Sequence, residues 1–372
     1  MNNLKRIAIV LVAFSLLIVL SLNYTGNDVL KRAIVLGIGV DLEGRQVRVT
    51  VEIVSPGNGS EQVGMYSKTV SSTGKTVADA LQTIAEKSGK ETSLGQCVLL
   101  VYGESLIDVD FSSITDYFVK SDSFKSSAVV CCCEGSAEDF LNKGDALLKS
   151  VSLSVADKLK SQSGDVALPV GDLLTFARSQ QELYRTGFLN YVQFETTPNT
   201  DSQNPDQEQG FFLCNRVAVF RSNKLLCVLS EEETEGFALL ESNVAGNTFS
   251  VTEDDKVVTL RAGNKKLDIK QQNNVVTIDL QLFVRLARAD SFGAGDSFSA
   301  KTDSEITESQ KQQVKQQAVQ LATDFLQKQA EWEFDLIGIH ELFRRQYGTT
   351  EEVNNIPMSQ LQFDLSVSVS EK

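Results

Sequence analysis

Histidine is nearly absent from this chain: its 372 residues include one, His340, with a single tryptophan and five prolines. The sequence therefore excludes zinc sites built on several histidines, and a histidine-based catalytic triad would depend on that one residue. Basic residues are also few, since 35 Lys and Arg against 49 Asp and Glu give a net charge of −14. An acidic surface repels phosphate backbones and no local basic cluster offsets it, so we expect no nucleic-acid partner.

The six cysteines include no C-x-x-C pair and are spread through a long chain. This spacing gives poor support to a metal site or to a compact disulfide framework. Cys131, Cys132 and Cys133 follow an apolar stretch and continue a predicted strand, in which Cys132 faces away from the other two. We therefore expect six buried small hydrophobic residues, with no metal and no cofactor.

One long apolar run occupies residues 7–22. Carried through Tyr24 it would form a helix of roughly 27 Å, the short end of what crosses a bilayer core of about 30 Å. The run exceeds the usual apolar core of a signal peptide, and no Ala-x-Ala-like cleavage site follows it. We favour an uncleaved anchor over a cleaved signal peptide or a buried helix. Its apolar positions include Ile7, Leu11, Phe14, Leu17, Leu20 and Leu22.

Strand and helix signals interleave through the remainder and predict an α+β fold. We expect a multi-domain mixed α/β ectodomain of three small mixed sheets with packed helices and one long C-terminal helix, behind a single N-terminal membrane-spanning segment. The predicted divisions are an anchor or signal segment (1–27), an N-terminal α/β domain (28–148), a middle domain (149–245) and a C-terminal α+β domain with the long helix (246–372).

Three local patterns are the most specific. Apolar residues at every second position of 47–53 predict a strand with one buried face. A turn at Ser222-Asn223 predicts a hairpin whose register places Cys227 opposite Ala218. Residues 304–331 predict one amphipathic helix, which a capping box of Thr302 and Glu305 would begin.

Two further motifs have ordinary structural explanations. Gly74-Lys75-Thr76 resembles the end of a phosphate-binding loop, but Thr69 stands where that pattern requires its first glycine. We interpret it as a strand-to-helix turn. His340 lies in an amphipathic segment without an HExxH pattern, so we interpret it as a hydrogen-bonded or surface histidine and assign no catalytic residue.

The segment Gly293–Asp296 reads GAGD, a signature of ribokinase-type sugar kinases. In those enzymes the motif opens an apolar helix whose amino end binds an anion. Here a polar stretch follows it, so a flexible loop is the favoured interpretation and a kinase-like site the alternative.

Four stretches taken in order resemble a known family. The first is Ala33-Ile34-Val35-Leu36-Gly37-Ile38-Gly39-Val40-Asp41 with residues 47–56, and the second is 101–106 with 135–141. The third, residues 217–226 leading to 233–236, is the most specific, and the fourth is 327–329 with 335–344. Together they resemble the C subunit (GerAC or Ger(x)C family) of bacterial spore germinant receptors. The signature positions are Gly37, Gly39, Asp41, Gly103, Glu104, Phe220, Glu233, Thr234 and Gly236.

The resemblance implies a non-enzymatic, membrane-tethered subunit that assembles with A-type and B-type membrane subunits and is needed for assembly or signalling in nutrient-triggered germination. It also implies a place on the spore inner membrane or the cell membrane, with the bulk of the chain on the extracytoplasmic side. The family is usually lipid-anchored through an early cysteine, whereas this chain has none before Cys97. The apolar run at 7–24 would replace that lipid.

Two other functions remain open from the sequence. An exported solute- or wall-binding protein would fit the same leader, although no internal repeat indicates a two-lobed architecture. A sugar kinase-like enzyme would depend on the Gly293–Asp296 loop, although no set of titratable residues converges with it.

Overall fold

The computed structural model describes residues 14–15, 32–56, 65–143, 150–161, 168–181, 186–197, 209–241, 246–253, 256–272, 274–291, 306–348 and 356–371. The strands are β1 (Arg32–Glu43), β2 (Gln46–Pro56), β3 (Met65–Gly74), β4 (Glu91–Ser93), β5 (Leu99–Tyr102), β6 (Val129–Cys133), β7 (Thr186–Thr197), β8 (Gln209–Arg221), β9 (Lys224–Val228), β10 (Thr248–Glu253), β11 (Lys256–Gln272), β12 (Val275–Ser291) and β13 (Gln362–Glu371). The helices are α1 (Val77–Ser88), α2 (Glu104–Ile107), α3 (Ser112–Lys120), α4 (Ala137–Asn142), α5 (Val151–Lys160), α6 (Leu173–Ser179), α7 (Glu231–Leu240), α8 (Glu308–Glu331) and α9 (Ile339–Tyr347).

Sheet A has nine strands in the described part of the chain, in the order β3-β2-β1-β5-β6-β7-β8-β9, with β4 also paired to β1. Strands β1, β5, β6 and β7 run parallel, and antiparallel hairpins flank them on both sides. Parallel strands require cover on both faces. Helices α1, α2, α3 and α6 pack on one face, and α4 and α5 pack on the other. The predicted buried face of β2 is confirmed, because its four alternate apolar residues all lie in the first of these cores.

The turn between β3 and α1 shows why Gly74-Lys75-Thr76 is a structural motif. The Thr76 hydroxyl accepts a hydrogen bond from the Asp79 N–H at 3.2 Å, which caps the helix at its amino end. Gly89, with φ of 65°, ends the same helix in the left-handed conformation. The interpretation of this motif as a strand-to-helix turn is confirmed.

Sheet B has four strands in the order β10-β11-β12-β13, with β13 parallel to β12. Helix α8 lies across one face, where Val314 and Ala318 are fully buried. The opposite face carries exposed polar residues such as Lys266 and Asp268. Within the described residues this mainly antiparallel sheet is therefore covered on one side only, which is common for antiparallel sheets.

The long helix is confirmed, but its predicted start was wrong. It begins at Glu308, and its capping box joins Thr307 and Gln310 by two 3.1 Å hydrogen bonds between each side chain and the other residue's N–H. Thr302 and Glu305, the predicted capping pair, lie outside the described residues. Both Thr302 with Glu305 and Thr307 with Gln310 have the spacing of a capping box, and the apolar periodicity of the helix does not show which pair begins it.

A shared hydrophobic core, which we call the joint core, connects the two sheets. It includes Val217 and Val219 of β8, residues of α7 and α8, and Val276 and Ile278 of β12. Strand β8 is buried on both sides, because Ala218 and Phe220 point into the core beneath α1–α3 instead.

The described chain thus contains two sheets, so the prediction of three small mixed sheets was wrong. The division predicted at 148/149 falls within the span of sheet A, and that at 245/246 falls between α7 and β10.

The six cysteines lie in the described part of the chain, and all are buried without disulfides. Cys132 lies in the core on one face of sheet A, whereas Cys131 and Cys133 lie in the core on the other, as predicted. Burial raises the pKa of the Cys214 and Cys227 thiols to about 11, which leaves them protonated at neutral pH.

The turn at Ser222-Asn223 is confirmed by φ angles of 53° and 56°. A bulge after Val219 shifts the register, however, so that Cys227 pairs with Val219 and not with Ala218 as predicted.

Candidate functional site

Four of the nine signature residues meet where the parallel strands β1 and β5 end. Asp41 is 5% exposed, and its carboxylate accepts hydrogen bonds from the N–H groups of Ala137 at 2.8 Å and Glu138 at 3.1 Å. These groups open helix α4, so the carboxylate occupies the position where a helix amino end binds an anion. In open α/β sheets ligands bind beyond the carboxyl ends of the strands. Here a side chain of the protein fills that place and fixes α4 on sheet A.

Gly103 and Glu104 complete this cluster. The Gly103 N–H donates to the Val40 carbonyl at 2.9 Å, and a Cβ at Gly103 would overlap the Asp41 carboxylate. Position 103 therefore requires glycine, because the Asp41 carboxylate lies too close for any side chain. Glu104 exchanges two hydrogen bonds with Gly135: its N–H donates to the Gly135 carbonyl at 2.8 Å, and its carboxylate accepts from the Gly135 N–H at 3.0 Å. Gly39 lies beneath the same helix, where a Cβ would crowd Ala137.

Burial raises the pKa of Asp41, because desolvation outweighs the two N–H donors. Glu138 and Asp139 add repulsion in the same direction. At the rim, Arg48 bridges Glu43 at 2.8 Å and Glu138 at 3.0 Å. The cluster therefore joins β1, β5 and α4 through a buried carboxylate that accepts two backbone hydrogen bonds.

A second buried carboxylate, Glu52, was missed by the sequence analysis. It lies on β2 with 1% exposure, beside Gly37 in the register, and accepts a hydrogen bond from the Ser152 N–H of α5 at 2.9 Å. A Cβ at Gly37 would collide with Ser152, which explains that glycine. The sequence signal that could have indicated this site is Glu52 itself, a single acidic residue on strand β2, whose other face is apolar. Helix α5 itself was not predicted, so its partner could not be.

Three further signature residues, Glu233, Thr234 and Gly236, lie at the contact of α7 and α8. The Ser230 hydroxyl and the Glu233 carboxylate each accept a hydrogen bond from the other's N–H, forming a capping box at the start of α7. Gly236 faces the Leu321 carbonyl of α8 so closely that a Cβ would overlap it. Thr234 is fully buried beside it. This cluster brings two helix backbones into contact.

Phe220 lies elsewhere, in an aromatic cluster on the opposite side of β8. The centroid of its ring lies 5.7 Å from the ring centroid of Phe111 and 5.4 Å from that of Phe176, and both pairs have edge-to-face geometry. The nine signature residues thus form separate structural centres and not one pocket.

A half-buried lysine joins sheet B to helix α7 near the second cluster. Lys265 of β11 donates from Nζ to the carbonyls of Ala238 at 2.6 Å and Leu239 at 3.0 Å, at the carboxyl end of α7. A cation there complements the helix dipole. Burial nevertheless lowers the pKa of Lys265 to about 8.

His340 is buried and hydrogen-bonded, in agreement with the interpretation from sequence. The Gly293–Asp296 loop lies outside the described residues, as do the anchor positions Ile7, Leu11, Leu17, Leu20 and Leu22. Phe14 is described, and it is exposed. Within the described ranges, no three metal-ligating side chains converge, and no helix is long and apolar enough to cross a bilayer.

Two family models match the chain. One, described as spore germination protein N-terminal domain, matches residues 26–194, and the other, described as spore germination B3/GerAC-like C-terminal, matches residues 215–370. The chain belongs to the GerAC family. The resemblance drawn from the four sequence stretches is thereby confirmed.

A solved structure supports the fold of this GerAC-family chain. It is the crystal structure of the GerBC protein, with 16% sequence identity and a TM-score of 0.53, and the match covers 90% of this chain and 96% of that one. Among curated proteins no match is found.

Proposed function

We propose that this protein is the non-enzymatic C subunit of a spore germinant receptor, tethered to the membrane at its amino end. Its folded part would lie on the extracytoplasmic side of the spore inner membrane and assemble with A-type and B-type membrane subunits. Membership of the GerAC family over both sheets carries the proposal. The subunit would be needed for assembly or signalling in nutrient-triggered germination. We also propose that its folded part has three domains, at 28–148, 149–245 and 246–372.

The length of the tether supports a position close to the bilayer. The apolar run ends at Tyr24, and β1 begins at Arg32. Even fully extended, that connection spans at most about 30 Å. The amino ends of the parallel strands would therefore face the membrane, and the Asp41 cluster at their carboxyl ends would face away. A partner embedded in the bilayer would meet the amino-end edge of sheet A first.

Co-purification tests this proposal. Full-length protein carrying a C-terminal affinity tag would be recovered from spore membranes in mild detergent, and we expect polytopic membrane proteins to accompany it. A matched variant with Leu11→Arg and Leu17→Arg places two charges in the apolar run, which costs several kcal/mol of insertion at about 2.5–3.5 kcal/mol each. We expect that variant to lose both membrane retention and partners, whereas exposed Lys120→Ala loses neither. Recovery of the tagged protein alone from spore membranes would contradict the proposal.

A further inference from the structure

Helices α3 and α6 lie across the amino ends of the parallel strands of sheet A. Asp172, at the start of α6, forms an antiparallel bridge with Val129, the first residue of β6. At the other end of α6, the Gln180 side chain accepts a hydrogen bond at 2.8 Å from the Asn223 N–H, in the β8–β9 turn beside the start of β7. The Asn223 carbonyl accepts one at 3.3 Å from the Phe111 N–H, where α3 begins. We call residues 32, 90–91, 109–128, 172–181 and 222–224 the amino-end face.

Large apolar side chains are exposed on this face. Val119, in the last turn of α3, is 37% exposed, and Leu174, in the first turn of α6, is 46% exposed. The inner sides of both helices are already used, because Phe118 and Phe176 lie in the core against sheet A. Single exposed apolar residues are ordinary on protein surfaces. Here they share a face with a set of basic side chains.

The basic residues of the face outnumber the carboxylates that could balance them. Its carboxylates are Glu91, Asp110, Asp116, Asp122 and Asp172. Asp116 pairs with Lys120 at 2.6 Å, whereas Asp110 and Asp172 each accept a hydrogen bond from an N–H at the start of a helix. Glu91 and Asp122 are thus left against five basic residues that make no ion pair with another described residue. These are Arg32, Lys90, Lys125, Arg178 and Lys224.

The carboxyl ends of the same strands have the opposite character. The half-buried or exposed acids there are Glu43, Glu104, Glu134, Glu138 and Asp139, and the bases are Arg45, Arg48 and Lys75. Sheet A is therefore electrically polar along its parallel strands, although the chain as a whole carries a net charge of −14. A negatively charged surface would attract one end of this sheet and repel the other.

We propose that the amino-end face lies directly on the bilayer, with its basic groups bound to anionic phospholipid headgroups. The inference rests on the membrane tether proposed above, because β1 begins on this face at Arg32, a short connection from the end of the apolar run. Anionic lipids attract Lys and Arg within a Debye length, about 8 Å at physiological salt. The long stems of these side chains lie along apolar surface while their charged ends reach the phosphates, and Val119 and Leu174 enter the interface between them.

Site-specific quenching tests this orientation. Full-length protein would be reconstituted into vesicles of phosphatidylcholine with phosphatidylglycerol, some of whose headgroups carry a quencher. A fluorophore on Val119→Cys reports the amino-end face, and the matched control is the same fluorophore on Lys75→Cys at the opposite end. The six natural cysteines are buried and free, so the introduced thiol is the accessible one among them. We expect quenching at position 119 to exceed that at position 75 by at least about threefold, and to fall by about half in phosphatidylcholine alone.

Charge reversal tests the role of the basic groups. Lys90→Glu, Lys125→Glu and Arg178→Glu together should reduce quenching at position 119 at least about twofold, because they turn attraction into repulsion. Reversal of Arg45 and Lys75 at the carboxyl ends, Arg45→Glu with Lys75→Glu, should leave it unchanged.

The outcomes separate this inference from the tether. Protein that sediments with the vesicles but is quenched equally at positions 119 and 75 would overturn the inference and leave the tether intact. Strong quenching at position 119 that ignores both lipid charge and the triple reversal would overturn the assignment to anionic headgroups. Protein that does not sediment with the vesicles would overturn the tether and this inference together.

Discussion

Asp41 and Lys265 bind helix ends of opposite polarity in the two halves of the molecule. The carboxylate caps the amino end of α4 on sheet A, and the ammonium group caps the carboxyl end of α7 from sheet B. Each charge has the sign that the helix dipole favours. Even so, burial shifts both pKa values toward the neutral form, upward for Asp41 and downward for Lys265. A favourable helix end therefore reduces the cost of burying a charge without removing it.

The two sites differ in what surrounds the charge. Around Asp41, two N–H groups at the start of α4 have the carboxylate as their acceptor, and Phe140 and Leu141 also hold this helix by packing on sheet A. Around Lys265 the helix is also held by close packing, because Gly236 brings α7 against α8. Removing the charge should accordingly cost more at the first site than at the second.

Asp41→Ala should have the largest effect. It leaves the N–H groups of Ala137 and Glu138 buried without an acceptor, at about 1–3 kcal/mol each, partly offset by the relief of a desolvated charge. We expect a loss of about 2–4 kcal/mol in the free energy of unfolding, measured by denaturant titration. Asp41→Asn retains one acceptor and should lose about half as much. Equal stability of the alanine variant and the natural protein would contradict the role assigned to Asp41.

Gly236→Ala tests the packing of the second region. The added methyl group would overlap the Leu321 carbonyl, so the helices must separate, at about 1–3 kcal/mol. The matched control is Gly95→Ala, because a Cβ there has only ordinary contact with the Ser123 carbonyl, at 3.8 Å. We expect the control to stay within about 0.5 kcal/mol. Similar melting temperatures for both variants would show that the α7–α8 contact tolerates a methyl group.

The pH dependence of Lys265 should be the smallest effect. Because its folded pKa of about 8 lies below the ordinary value of 10.5, the folded protein binds fewer protons than the unfolded chain between those limits. Stability contributed by this residue therefore rises with pH above 8. Relative to Lys265→Met, the natural protein should gain about 1–2 kcal/mol between pH 8 and pH 10, after allowance for partial solvent screening. A constant difference between the two proteins across that range would refute the shifted pKa.

Periodic patterns were enough to predict the elements with one clear apolar face. The strand through Val49 and Val51 and the long helix α8 carry such a pattern, and the turn at Ser222-Asn223 has its own signal in its residue types. Helix α5 was not predicted, because Val151, Leu153 and Val155 alternate with serines as in a strand although Val151, Val155 and Leu159 also lie at helical spacing. Glu52, which accepts a hydrogen bond from its Ser152 N–H, lies 100 residues away along the chain. Long-range contacts of that kind leave no periodic trace.

The signature positions were identified by resemblance, but their roles required the fold. Gly103 is a glycine because Asp41 lies against it, and Gly236 because Leu321 does. Neither neighbour can be inferred from spacing alone. The pairing partner of Cys227 could not be predicted for the same reason. It depends on a bulge in β8, and the turn residues carry no sign of that bulge.

The two-sided burial of β8 limits how this chain can be divided. Val217 and Val219 belong to a core completed by α8 and β12, whereas Ala218 and Phe220 belong to one completed by α3 and α6. A fragment ending near residue 245 would remove α8 and β12 from the core that buries the first pair of side chains, and a fragment starting there would leave α8 without α7, against which it packs at Gly236. Fragments cut at that point should therefore aggregate when expressed separately, and exchange of segments between homologues should succeed only when both matched segments are inherited together.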